Sequence, residues 1–287
     1  MALALGPPLR RVLDRLDAAD ATLSVTELAQ RLLSLTTPLD AALARRLVAA
    51  ALGCGAERLP DSVAVRELPR LVAGPSAAQP LAATHFIVVD LETTGVSSEH
   101  GSILEIGAVR VRGLRRIETF HTLVDPGTPI PSFITRLTGI DRSTLEGAPP
   151  IATAIGAFRD WVGAGEGTAF VAHNASFDHR FVARAFERHG LAGWPGPILC
   201  TLRLARRILP DLGRYDLDTV SARFGITNRW RHRALGDAEA TAQALLELLT
   251  IAQETRDVTE LGDLVQLQSA RMKPRLRKRA ASSPRVR

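Results

Sequence analysis

Cysteine is nearly absent from this sequence: Cys54 and Cys200 are the only two. Two distant thiols argue against a disulfide scaffold or a thiolate metal site and fit a reducing cytoplasm. No apolar run approaches the ~20 residues of a membrane span. The opening Met1–Pro8 lacks the basic front and full apolar core of a signal peptide, so the expected location is cytoplasmic. Acid is missing from residues 271 to 287, which hold eight Lys or Arg, while the whole chain carries only +6. The rest of the chain is therefore slightly acidic. This tail is too polar and Pro-interrupted to pack a core, which predicts disorder, with loose phosphate contacts or simple solubility as its use.

What is present concentrates in three motifs. Phe86 to Gly95 is an apolar run ending in Asp90 and Glu92, two carboxylates that strand alternation aims at one face. A strand apolar on both faces reads as a central one covered by helices, with its terminal acids at the sheet edge. Like charges buried there are costly without a cation. On its own, this spacing fits a solvated turn better than a metal site. Ala169 to Asp178 is a second apolar strand giving way to a helix, with Ser176 as the expected cap and Phe181, Val182, Ala185 and Phe186 as its buried stripe. Asp178 then lies in the first turn, where the macrodipole favours a carboxylate, a position that also fits plain capping chemistry. His232 to Asp237 leads into a helix over 238–249, with Thr241, Leu245, Leu248 and Leu249 inward. A carboxylate fixed at a helix start suits metal binding, and an imidazole on the loop before it can take a proton from water near neutral pH.

Those five positions, together with Ile103 to Val109, Leu137 to Ile140 and Tyr215 to Val220, resemble the DnaQ-like, DEDDh group of 3'-5' exonucleases from about Thr84 to Ile251. The likeness is to the proofreading epsilon subunits of bacterial DNA polymerase III. It implies an α/β, RNase H-like domain: a mixed central sheet flanked by helices, opening with strands near 86–90, 103–112 and 118–124. It further implies that Asp90, Glu92, Asp178 and Asp237 hold metal, that His232 is the general base, and that Thr93, Thr94, Thr138, Gly139, Asn174 and Phe177 contact the terminal nucleotide. Four carboxylates suit two divalent ions, Mg2+ or Mn2+. The expected reaction is release of nucleoside 5'-monophosphates from DNA 3' ends, in proofreading or repair, with single-stranded DNA and a DNA polymerase as partners. A 3'-5' exoribonuclease of the RNase T and oligoribonuclease kind carries the same five residues, because the 2'-hydroxyl is sorted by cleft shape. A catalytically dead end-binding or polymerase-binding module is the remaining alternative.

Several neighbours receive quieter roles. Glu105 reads as a structural hydrogen-bonding residue, and His173 and His179 as supporting or surface residues, since a zinc site would group His with Cys. Arg229, Arg231 and Arg233 fit either backbone contacts or a solvated basic loop. The predicted boundaries are a small, mainly helical module over 1–72, whose pattern also permits a winged-helix-like fold; a linker over 73–83; the exonuclease domain over 84–253; and a basic tail over 254–287. In the module, Ser24 and Glu27 form a capping box, Thr37–Pro38 opens a second helix ending at Gly53, and Val63 and Val65 mark a strand. With nine Arg against eight acids it is nearly neutral, which fits partner docking as well as DNA binding. Residues 84–253 hold 18 Arg and 18 acids, so affinity for a polyanion there is expected to come largely from bound cations.

Overall fold

The computed structural model describes residues 22–33, 37, 39–52, 56, 59–65, 68, 77–163, 167–194 and 196–270. Near the start, β1 (Thr22–Ser24) pairs antiparallel with β2 (Ser62–Ala64), and between them lie α1 (Val25–Leu33) and α2 (Ala41–Leu52). Ser24 and Glu27 cap α1 reciprocally: the Ser24 N–H donates to Glu27 Oε2 at 2.8 Å, and the Glu27 N–H to Ser24 Oγ at 3.2 Å. The second helix departs from expectation. It starts at Ala41 because the Asp40 carboxylate accepts the N–H groups of Ala42 and Leu43, a service that Pro38 cannot supply. Pro38 and Gly53 lie outside the described residues. Leu23, Leu28, Leu32, Val48 and Val63 form a small core of this region's own.

The main body is built on a five-stranded sheet of order β5-β4-β3-β6-β7. An antiparallel meander of β3 (His85–Thr93), β4 (Ile103–Arg112) and β5 (Arg115–Leu123) is followed by α3 (Ser132–Thr138), α4 (Ile151–Val162), β6 (Thr168–Ala172), α5 (Ser176–Arg188), β7 (Ile198–Cys200), α6 (Thr201–Ile208), α7 (Leu217–Arg223), α8 (Ala234–Arg256) and α9 (Leu261–Ser269). Strands β6 and β7 run parallel to β3. Alternation along β3 divides the core. Phe86 and Val88 join Ala238, Ala242, Leu245 and Leu249 of α8, while Ile87, Val89 and Leu91 join Ile155 and Phe158 of α4 and Phe181, Val182 and Phe186 of α5. Both faces are thus covered by helices, as a strand without polar alternation requires.

Two boundary expectations change. Of the segment read as a linker, residues 77–83 pack on the sheet domain: Leu81 is buried in its core, Gln79 Nε2 donates to Gly167 O at 3.2 Å, and Pro80 bridges Glu260. Residues 254–269, read as part of the tail, complete α8 and form α9, whose Leu261, Leu264 and Val265 are buried in the same core. Gln268 spends its amide on the edge strand β7, accepting from Cys200 N at 2.9 Å and donating to Ile198 O at 2.7 Å. The eight cationic residues from 271 onward lie outside the described residues. No helix among the described residues is long and apolar enough to cross a membrane.

Candidate active site

The C-terminal end of β3 collects the carboxylates because three elements meet there. Asp90 and Glu92 share the β3 face that carries Phe86 and Val88, so both point toward α8. Across the ladder, Gly107 pairs with Asp90 and Glu105 with Glu92. Gly107 decides how near α8 comes: a Cβ there would sit 2.2 Å from Ala234 C and from Leu235 N. The helix start therefore lies directly on the β4 backbone, and its first turn brings Asp237 to the strand end. Ligand atoms of Glu92, His232 and Asp237 all lie within 4.8 Å of one another. From the opposite face comes α5. Strand β6 stops pairing with β3 at Val88, and beyond that point the Leu91 N–H is accepted by the Asp178 carboxylate.

Charge in this cluster is poorly neutralised. Burial, then Asp178, Asp237, Glu92 and Glu105, hold the Asp90 carboxyl well above the usual carboxylate range. Burial with Asp237, Glu105 and Asp178 pushes Glu92 up to about 8, against a smaller pull from Arg233. Burial lifts Asp178 to about 7 despite two backbone N–H bonds. Asp237 is raised by burial and relieved in part by the His232 N–H and Asn228. Glu105 is the exception. Burial acts to raise it, but its partners win and it lies below its ordinary value. Arg233 Nη2 donates to Glu105 Oε1 at 2.8 Å and Nε to Oε2 at 3.1 Å, the Ala234 N–H donates to Oε2 at 3.0 Å, and His121 bonds Oε1 at 2.6 Å. With its oxygens so committed, Glu105 anchors the start of α8, in line with the structural role expected from sequence.

The loop before α8 is held rigidly. His232 adopts a left-handed φ of 59°, a strained setting for a side-chain-bearing residue, fixed by its N–H donating to Asp237 Oδ2 at 3.2 Å. Asn228 Nδ2 donates to the other Asp237 oxygen. Sequence reasoning missed Asn228, which lies in a loop without periodicity that offers no sign of this contact. Arg231 pairs with Asp218 at 2.5 Å and Arg233 with Glu105, so of the three loop arginines only Arg229 is unpaired among the described residues.

The remaining expected residues are engaged unequally by their own surroundings. Thr93 is buried and donates to Gly95 O at 2.8 Å, while Thr94 Oγ1 accepts from Ser102 N at 2.9 Å. Thr138 closes α3, donating to Ile134 O and accepting from Ile140 N, both at 3.0 Å, and Gly139 follows at φ 73°. Asn174 is exposed at φ 71°, and the Phe177 ring lies 5.1 Å from that of Phe181. Ser176 does not cap α5. It is the first helical residue, its N-cap is Ala175 with no side-chain bond, and Asn174 O instead takes the Phe177 N–H at 2.9 Å. The two histidines beside Asp178 are more internal than a surface role implies. His173 bridges Thr201 Oγ1 at 2.9 Å and Tyr215 O at 2.8 Å, and buried His179, driven down to about 4 by burial, meets the Phe170 ring edge-on at 5.3 Å.

Comparison with known proteins agrees with this geometry. DNA polymerase III of the PolC type from Caldanaerobacter subterraneus subsp. tengcongensis is 39% identical over 182 residues, covering 63% of this chain and 13% of the polymerase. The PolC-type polymerase of Streptococcus agalactiae is 37% identical over 179 residues, covering 62% and 12%. The chain thus matches only about an eighth of the length of these relatives. In fold it is similar to E. coli Exonuclease I, solved in complex with a dT13 oligonucleotide, at a TM-score of 0.54 and 18% identity over 61% of this chain and 43% of that one. The family model for exonucleases takes in residues 87–245, more than half of the chain, and the chain accordingly belongs to the exonuclease family, with an RNase H-like fold.

Proposed function

We propose that the chain releases nucleoside 5'-monophosphates from the 3' end of single-stranded DNA, in replication proofreading or repair, by a two-metal mechanism. One observation carries the reading: Asp90, Glu92, Asp178 and Asp237 converge at one strand end with their carboxyls forced upward, and Arg233, the arginine whose charge acts on Glu92, is committed to Glu105. A buried site with this much unrelieved negative charge calls for cations, and its carboxylate oxygens suit hard ones. These four residues would hold two Mg2+ or Mn2+ ions. When bound, the ions lower the pKa of an attacking water and neutralise charge on the departing 3' oxygen.

The chain's own groups do the rest. His232 is the proton acceptor: its ring nitrogen lies within 4.8 Å of ligand oxygens on Glu92 and Asp237, a span that one water can bridge. Water oxygen bonds to phosphorus, its proton passes to the imidazole, and the bond to the 3' oxygen breaks. Thr93, Thr94, Gly139, Asn174 and Phe177 line the approach for the terminal nucleotide. Thr138 contributes through shape, its hydroxyl being used within α3. The polymerase relatives support DNA as substrate and a polymerase as partner. The test is digestion of 3'-labelled single-stranded DNA and matched RNA with Mg2+, by wild type and Asp90→Ala. Metal-dependent mononucleotide release from DNA, lost in the variant, is expected. A strong preference for RNA would reassign the substrate, and inertness toward both would overturn catalysis.

A further inference from the structure

Trp230 stands 68% exposed. The other two tryptophans are half-buried, Trp161 against Phe120 and Phe158 and Trp194 against Phe170. A tryptophan is on average highly buried, so a ring left in water two residues before His232 calls for an occupant. Its backbone is clamped. The Trp230 N–H donates to Asn228 Oδ1 at 3.0 Å, and Trp230 O accepts from Arg233 N at 3.1 Å. Gly236 makes room for it, since a Cβ there would lie 2.4 Å from Trp230 O and 2.7 Å from Trp230 Cβ. Asn228 ties the same loop to the Asp237 carboxylate. The residue is thus held on a clamped backbone in the loop that carries His232 and reaches Asp237, next to Arg229, the exposed arginine of the loop that has no acidic partner among the described residues.

We infer that Trp230 is a stacking platform for an unpaired base of the DNA strand upstream of the bond that is cut, with Arg229 meeting the adjoining phosphate. The inference rests on the nuclease reading above and names the residue that grips the strand. Stacking on an aromatic face tolerates any base, which suits an enzyme that consumes strands of arbitrary sequence. A single stacked base is worth enough to change affinity by about tenfold.

The experiment compares wild type, Trp230→Ala and Trp230→Phe on an eight-nucleotide dT oligonucleotide and on thymidine 5'-monophosphate p-nitrophenyl ester, which has no upstream base. Trp230→Ala should raise KM for the oligonucleotide about tenfold with kcat nearly kept, the ester reaction should be spared, and Trp230→Phe should restore most of the affinity. Binding is read separately with Ca2+ in place of Mg2+, from fluorescence anisotropy of a labelled oligonucleotide and quenching of tryptophan emission. Trp230→Ala should weaken the first about tenfold and abolish most of the second. Unchanged oligonucleotide affinity in Trp230→Ala, or an equal loss on oligonucleotide and ester, would overturn the stacking role. If wild type hydrolyses neither substrate, the nuclease reading fails on its own account, and the anisotropy comparison still decides whether Trp230 grips the strand.

Discussion

At Glu92, catalysis and stability pull in opposite directions. Its carboxyl, pushed up to about 8 by burial and by Asp237, Glu105 and Asp178, is costly to ionise in the metal-free protein at neutral pH. Glu92→Gln removes that charge in nearly the same shape. The expected outcome is at least a roughly 100-fold lower rate with Mg2+, since a charge-holding group at the reacting centre is gone. Without metal at pH 8 the same variant should melt several degrees higher than wild type by calorimetry. Glu105 responds differently. Its charge is matched by Arg233 and capped by the Ala234 N–H, so Glu105→Gln loses charge-assisted bonds and relieves little repulsion. A loss of about 2 kcal/mol in urea unfolding is expected, with a lower rate, because Arg233 and the start of α8 lose their anchor.

Elements set the site through two contacts that no pattern of residues announces. Gly107 is the meeting point of β4 and α8, and Gly107→Ala would force the helix start off the sheet, carrying Asp237 away from Asp90 and Glu92. Destabilisation of about 1–3 kcal/mol, as for overpacking, should accompany a larger fall in rate than in stability, checked by melting and by single-turnover digestion. The second contact is α9 on β7. Truncation after residue 253, the domain boundary expected from sequence, would strip Leu261, Leu264 and Val265 from the core and leave Cys200 N and Ile198 O without Gln268. Such a fragment should aggregate or melt well below the full chain, while Gln268→Ala alone should cost about 1–3 kcal/mol. These cases mark what the sequence could convey. The unbroken apolar runs at Phe86–Val89 and Ala169–Ala172 and the i, i+3, i+4 stripes of α5 and α8 are local signals, and they place β3, β6 and both site helices. The docking of 77–83 and 254–269 on the sheet domain through residues such as Leu81, Leu261 and Leu264 depends on where distant segments meet, and short polar-flanked stretches carry no periodicity to reveal it. Asp90, Glu92, Asp178 and Asp237 are expected together only through the family resemblance that their three separated motifs carry, whereas Asn228 reaches Asp237 through a loop geometry that residue types do not encode.

Across the whole molecule the carboxylate cluster links folding to pH and to metal. Below about pH 3 the carboxyls of Glu92 and Asp178 are protonated in both folded and unfolded chains, and the folded state bears no repulsion from them. As pH rises, the unfolded chain ionises them at ordinary values, while the folded chain resists until about 7 for Asp178 and about 8 for Glu92. Across that window the unfolded state binds fewer protons than the folded one, so stability is lost as pH climbs. Metal-free protein should therefore show a melting temperature that falls between about pH 5 and pH 8. On the two-metal reading, divalent ions would bind the ionised carboxylates of the folded state, so Mg2+ should raise the melting temperature strongly at pH 8 and weakly at pH 5, where protons compete for the same oxygens. A pH-independent melting temperature without metal, or equal Mg2+ stabilisation at both pH values, would show that the four carboxylates do not act as one buried charge cluster, and the two-metal reading would lose its physical basis.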